Sequence, residues 1–213
     1  TPLYSSAASD VYKRQAINNS MATKKKAAVK KAAPQKAAAP AAKKKASKSA
    51  TAKATPFKNH QTGLQAGDTA PAFKGIDQDG KPISFADFKG KKLVLYFYPQ
   101  DNTPTCTVQA CNLRDNFSAL KKAGIEVVGV SEDSAAQHKK FEAKFNLPFR
   151  MIADEQHQVI KAYDVWGKKQ FMGKIYDGLV RTTFLINAKG KIEHIIYKPD
   201  TKNHSQEILE LWK

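Results

Sequence analysis

Cysteine is scarce, long apolar runs are missing, and one region contains no acid at all. Only two of the 213 residues are cysteine, Cys106 and Cys111, too few for the disulfide framework of a small secreted domain. No stretch reaches the roughly 18 consecutive apolar residues of a membrane helix, and the N-terminal region holds no apolar block of about 7–15 residues like that of a signal peptide. The expectation is a soluble cytoplasmic protein without a membrane partner, with a nuclear or nucleoid-associated location as the alternative. The histidines His60, His138, His157, His194 and His204 show no paired spacing, which argues against a four-ligand zinc site.

The acid-free region is residues 21–58, with twelve lysines and no Asp or Glu. It carries +12 of the net +17, residues 1–20 add +1, and the remaining +4 belongs to the rest of the chain. Up to about Thr55 the region is Lys, Ala, Pro and Ser, with no aromatic residue and Val29 as its one β-branched apolar residue. Ordering such a backbone costs roughly 1–2 kcal/mol per residue with little burial to offset it. Pro34 and Pro40 interrupt any helix. The expectation is therefore a disordered basic tail at 21–58. A solvated extension is the first reading, non-specific binding of nucleic-acid phosphates the second, and a targeting peptide the third. Residues 5–15, SSAASDVYKRQ, resemble the translation of a transposon-library sequencing adapter. Residues 1–20 are accordingly read as a scar, Met21 as the natural start, and 59–213 as the folded domain.

Within that domain, the turn signal Asp79-Gly80 suggests a hairpin near 72–84. LVLYFY at 93–98 is apolar without alternation and reads as a strand buried on both faces. Pro104 suits the first position of a helix capped by Thr103, with Leu113, Phe117 and Leu120 on one face and Gly124 at its end. IEVVGV at 125–130 is a second buried strand, and Ser134 with Gln137 opens a helix carrying Phe141 and Phe145. A short strand near Met151, a helix near 156–164, strands at 182–186 and 191–197, and a helix with Ile208, Leu209 and Trp212 follow. Trp166 and Tyr176 are read as packing residues. Strands alternating with helices before a late hairpin predict an α/β fold with a mixed central β-sheet flanked by helices.

In YPQDNTPTCTVQAC, Cys106 falls at the third helical position, where backbone N–H groups are unpaired and the helix dipole is positive. Cysteines so placed ionise more readily, and the thiolate is the nucleophile. Cys111 lies beyond the reach of the dipole and is expected to behave more ordinarily. Five residues along an ideal helix separate the two Cα atoms by about 8.6 Å, whereas a disulfide needs less than about 7 Å. A bond between them would require the first turns to unwind. From the cysteines alone, a buried structural pair and a redox couple both stand open.

PQDNTPTC resembles the P-x-x-x-T-x-x-C motif of the peroxiredoxins, with Pro99, Thr103 and Cys106 in register. CTVQACNLRDNF and VWGKKQFMGKIYDGLVRTTFLIN are similar to the peroxiredoxin Q, or bacterioferritin comigratory protein, subfamily, from about Leu64 to the C-terminus. The resemblance implies a thioredoxin-like fold and a thiol peroxidase with no metal, flavin or haem. It implies Cys106 as peroxidatic and Cys111 as resolving cysteine, Thr103 and Arg181 as the groups that stabilise thiolate and orient peroxide, and Pro99 as a shield over the sulfur. The backbone N–H groups of Thr105 and Cys106 would hold the departing oxygen. It further implies a hydroperoxide substrate, an external dithiol such as thioredoxin, and a monomer. Two positions depart from the family: Thr105 stands where Gly is usual and Gln109 where Glu is frequent. Two other function classes are a thioredoxin-fold redox sensor or exchanger, disfavoured by the lack of C-x-x-C, and a nucleic-acid-associated protein acting through its tail.

Overall fold

A computed structural model of the chain describes residues 57–212. The adapter-like segment and nearly all of the tail expected at 21–58 lie outside the described residues.

The apolar run at 93–98 becomes strand β3, Lys92–Phe97. Alternate side chains of this strand point to opposite faces, and both faces are covered. Leu93, Leu95 and Phe97 enter one core with Val128, Val130, Tyr163 and Phe184. Val94, Tyr96 and Tyr98 enter the other with Cys106, Leu113, Val127, Phe141 and Ile208. β3 lies between β4, Ile125–Ser131, and β8, Thr182–Ile186. It is parallel to the first and antiparallel to the second. With β5, Arg150–Ala153, and β9, Ile192–Ile196, the sheet order is β5-β4-β3-β8-β9. This is the mixed central sheet expected from the sequence, in a thioredoxin-like fold. The expected early hairpin is β1, Lys74–Ile76, against β2, Pro82–Ser84, with Gly80 at φ 73° in the turn.

Helix α1 spans Pro104–Asp115 and α2 spans Phe117–Lys122. The single helix expected up to Gly124 is thus broken at Asn116. There the side-chain Nδ2 of Asn116 donates to the Asn112 carbonyl at 2.9 Å, competing for a helical acceptor. Helix α3, Ala135–Phe145, opens with the expected Ser134/Gln137 capping box and ends at Asn146 in the left-handed region. Helix α4 is Gln158–Ala162 and α5 is His204–Leu211. Among the described residues no helix is long and apolar enough to cross a membrane.

One element was not anticipated: β6, Trp166–Phe171, pairs with β7, Lys174–Leu179, as a two-stranded ribbon. Its lysines obscure any alternation. The available signal was Met172-Gly173, whose residues take φ 49° and 79° at the turn, a pattern favoured by tight hairpins. Trp166 packs against the core as expected. Tyr176 does not: it is 44% exposed, with the Lys169 ammonium over its ring at 5.2 Å.

Gly129 in β4 marks a close approach of side chains on the α1 face of the sheet. A Cβ there would stand 3.0 Å from the Tyr96 hydroxyl and 3.1 Å from the Tyr98 ring. Gly129→Ala is expected to destabilise the fold by about 1–3 kcal/mol through overpacking. A urea midpoint equal to wild type would show that the two rings yield freely.

Candidate active site

The site forms where the carboxyl end of β3 meets the start of α1. β3 delivers Tyr98, then the loop 99–103, to the N-terminus of α1, where Thr103 occupies the N-cap and Pro104 the first turn. Thr107 is the first residue whose N–H reaches back, to the Thr103 carbonyl at 2.9 Å. The N–H groups of Thr105 and Cys106 precede it, so helix geometry leaves them without an intrahelical acceptor. Cys106 is buried, at 2% exposure, and Cys111 is half-buried; both are free thiols.

The antiparallel pairing of Phe97 with Thr182 brings the chain just before β8 to the same end of the sheet. That pairing sets Arg181 against α1. Its Nη2 donates to Cys106 Sγ at 3.0 Å, and its Nη1 donates to Gln109 Oε1. Cys106 and Gln109 are three apart on one helix, so they share a face, and the planar guanidinium spans both. Of the five expected site residues, Cys106 and Arg181 are therefore in direct contact. Pro99 is half-buried in the loop before α1. The Thr103 hydroxyl donates to the Gln100 carbonyl at 2.9 Å and makes no side-chain cap bond. Its expected hydrogen-bonded cap is thus replaced by a bond within the loop. Thr105, at an exposed helical position, fits its β-branch without burial.

Cys111 remains in α1, five residues from Cys106 within an unbroken helix. Burial pushes its thiol up from the ordinary value, with Arg114 opposing. The ordinary behaviour expected of it is thus shifted further toward the neutral thiol.

Gln109, noted above as a departure from the family pattern, is joined at the site by residues that carried no expectation there. Gln109 Nε2 contacts His204 Nδ1 at 3.1 Å, and His204 Nε2 contacts the Thr183 hydroxyl at 3.1 Å; all three side chains are buried. Burial, then the positive charge of Arg181, pushes His204 down to about 3. Lys169 lies across Gly178 and donates to the Leu179 carbonyl at 2.8 Å, two residues before Arg181. Burial pushes its ammonium down, while the charges of Glu132 and Cys106 favour its protonated form. The sequence signal for His204 was its place four residues before Ile208, on the apolar face of a short helix.

A second buried group braces the loop. Asp101 accepts from the Tyr98 hydroxyl at 2.8 Å and lies 2.8 Å from His138 Nδ1. Its own N–H donates to Asp133 at 2.8 Å, and Ser131 donates to the same carboxylate oxygen at 2.7 Å. Asp101, Asp133 and His138 bring potential metal ligands within 4.8 Å of one another. Those atoms already serve one another and their neighbours as hydrogen-bond partners, so the cluster reads as an anchor for residues 98–101.

A thiol at a helix N-terminus, buried, touched by an arginine and followed five residues later by a second thiol can form a sulfenic acid and then a disulfide. Comparison with known proteins agrees. Residues 66–195 match the AhpC/TSA family. Peroxiredoxin Bcp of Escherichia coli (strain K12) is 49% identical over 150 residues, covering 70% of this chain and 96% of that protein. Peroxiredoxin Bcp of Bacillus subtilis (strain 168) is 39% identical over 150 residues, with the same 70% and 96% coverage. Among solved structures, a cysteine-to-serine variant of Xanthomonas campestris peroxiredoxin Q has a TM-score of 0.64 at 28% identity, covering 71% of this chain and 96% of that one. The bacterioferritin comigratory protein of Xanthomonas campestris, studied for alkyl peroxide reduction with a trapped intermediate and ligand, has a TM-score of 0.63 at 27% identity, covering 71% and 98%. The chain belongs to the AhpC/TSA family, as a peroxiredoxin of its Bcp/PrxQ subfamily.

Proposed function

We propose that Cys106 is the peroxidatic cysteine, Cys111 the resolving cysteine, and Arg181 the group that holds thiolate and peroxide in line. A peroxiredoxin is a thiol peroxidase and needs a hydroperoxide and a reductant. The single observation that carries the assignment is the 3.0 Å contact from Arg181 Nη2 to Cys106 Sγ at the head of α1. The Cys106 thiolate attacks one peroxide oxygen, the O–O bond breaks, and the other oxygen leaves as alcohol or water after taking a proton. The product is Cys106 sulfenic acid. The Arg181 guanidinium, together with the free N–H groups of Thr105 and Cys106, offers donors where charge develops on the leaving oxygen. Pro99 restricts solvent access to the sulfur. Thr103, with its hydroxyl turned to the Gln100 carbonyl, fixes the loop and can turn to the peroxide.

The start of α1 must then unwind, because an intact helix keeps the two Cα atoms about 8.6 Å apart. The Cys111 sulfur attacks the Cys106 sulfenic sulfur, water leaves, and a disulfide forms. An external dithiol, thioredoxin by family likeness, reduces it by thiol–disulfide exchange. Alkyl hydroperoxides are the favoured substrate class beside hydrogen peroxide, following the activity described for the Xanthomonas relative. The protein acts as a monomer. The lysine-rich residues 21–58 carry the charge for a non-specific contact to nucleic-acid phosphates, the second reading of that segment after a solvated extension. The redox-sensor alternative differs in that it would not turn over peroxide with a dithiol.

Stopped-flow oxidation with mass-spectrometric mapping of the sulfur products tests the assignment. Cys106→Ser is expected to abolish turnover, whereas Cys111→Ser allows one turnover and accumulates sulfenic, then sulfinic, acid at Cys106. Equal steady-state activity of the two variants would reverse or dissolve these roles. In the same assay Arg181→Gln is expected to slow the peroxide step by about 10²–10³-fold, the usual cost of one lost donor to developing charge. Arg181→Lys should recover little of it, since an ammonium cannot span both Cys106 and Gln109.

The disulfide-forming step should quicken as pH rises from 6 to 8. The Cys111 thiol is pushed up by burial, so its thiolate is scarce at neutral pH and grows with each unit. A resolution rate flat across that range would indicate that unwinding alone limits the step. Gel shifts with duplex DNA at low and moderate salt, with and without residues 21–58, report on the tail. Binding insensitive to salt or to the deletion would remove it as a phosphate-binding element.

A further inference from the structure

The geometry points to His204 as a positioning residue for the peroxide reaction, acting on Cys106 through Gln109 and Arg181. This rests on the roles proposed above for Cys106 and Arg181. The direction of every hydrogen bond in the chain follows from its first member. A guanidinium donates and accepts nothing, so the Gln109 atom facing Arg181 Nη1 is the carbonyl oxygen. The amide nitrogen of Gln109 then faces His204 Nδ1 at 3.1 Å and donates to it. Nδ1 must therefore carry the lone pair, the ring proton sits on Nε2, and Nε2–H donates to the Thr183 hydroxyl at 3.1 Å. The neutral imidazole that this requires agrees with its burial beside the Arg181 charge.

Removing His204 leaves the Gln109 amide nitrogen without its acceptor, so that the Arg181 donor alone holds the amide in place. If the amide turns over, its NH2 meets the guanidinium donor to donor, and Arg181 loses the partner that aims Nη2 at the sulfur. His204 stands on α5, two links beyond the arginine that touches the sulfur. Gln109 lies between the two cysteines in α1, so the same bond also holds wound the segment that must open for Cys111 to reach Cys106. Beyond it, Asn112 ties α1 to the approach to α5 through bonds to the Lys202 carbonyl at 2.7 Å and the Ser205 N–H at 2.8 Å. Those bonds lie past Cys111 and do not need to break. Loss of His204 should then slow the first chemical step and speed the second, a pair of opposite changes that packing damage alone does not produce.

The test compares full-length wild type, His204→Leu, His204→Asn and Thr183→Val. It uses stopped-flow oxidation by hydrogen peroxide across pH, with separate rates for sulfenic acid formation and disulfide closure. His204→Leu is expected to slow oxidation by about tenfold, the worth of roughly one net hydrogen bond, and to move its pH profile upward. Disulfide closure should become faster. His204→Asn, whose Oδ1 can stand in for Nδ1 as acceptor, should recover most of the oxidation rate. Thr183→Val, which keeps the side-chain shape and frees the ring, should shift both rates in the same directions by a smaller factor, and it serves if His204→Leu does not fold. Variants with a lowered melting temperature but an unchanged pH profile and oxidation rate would overturn the inference and leave His204 a packing residue. A wild type with no fast peroxide-driven change at Cys106 would instead overturn the functional assignment, and this inference with it.

Discussion

The contact between the Arg181 guanidinium and the Cys106 sulfur is the interaction on which the site depends. The sulfur is at 2% exposure, and negative charge placed there would carry a desolvation cost that only a paired, hydrogen-bonded environment offsets. The cation cannot come from α1 itself, whose first turn carries no basic residue. It comes from the residue that leads into β8, the strand beside β3, and its second nitrogen is engaged by Gln109 one helical turn along from Cys106. A neutral amide at 109 matters here. Gln accepts the hydrogen bond without adding a negative charge, so the arginine's charge is not shared with a carboxylate at 109.

Two buried polar groups brace the two sides of this contact. On the loop side, Tyr98, Asp101, His138, Ser131 and Asp133 bind the backbone just before α1 to the end of β4 and to α3. On the arginine side, Gln109, His204 and Thr183 tie α1 to α5 and β8. Between them lies the first part of α1, the segment proposed above to unwind for disulfide formation. Anchors on both sides would let that stretch of helix open without loosening the sheet below, where β3 and β8 are paired over five residues. Buried polar networks of this kind act through specificity of arrangement more than through net stability.

Much of the frame was legible along the chain. β3 and β4 announced themselves as doubly buried strands through unbroken apolar runs, and the parallel pairing found between them follows from the helix that connects them. The start of α1 was legible from Thr103, Pro104 and the cysteine two residues later. Other elements escaped. The β6/β7 ribbon was hidden because its faces carry lysines where alternation would otherwise show. The break at Asn116 depends on a side chain competing with the helix for one carbonyl, which periodicity does not register. The Thr103 hydroxyl took a partner within the loop instead of capping, a choice between acceptors a few ångströms apart.

By itself the sequence placed Cys106 at the head of a helix and set what that helix offers its thiol, because capping, dipole and helical spacing act within a few neighbours. It also determined that Cys111 cannot reach Cys106 while α1 is wound, since rise per residue is fixed by backbone geometry. The family resemblance named Arg181 as the cation, but only the tertiary structure brought it to the sulfur and decided what orients it. Arg181 lies 75 residues from Cys106, and His204 lies 95 from Gln109. Contacts at such separations depend on the order and register of the strands, and a register shift of one residue would turn each side chain to the opposite face.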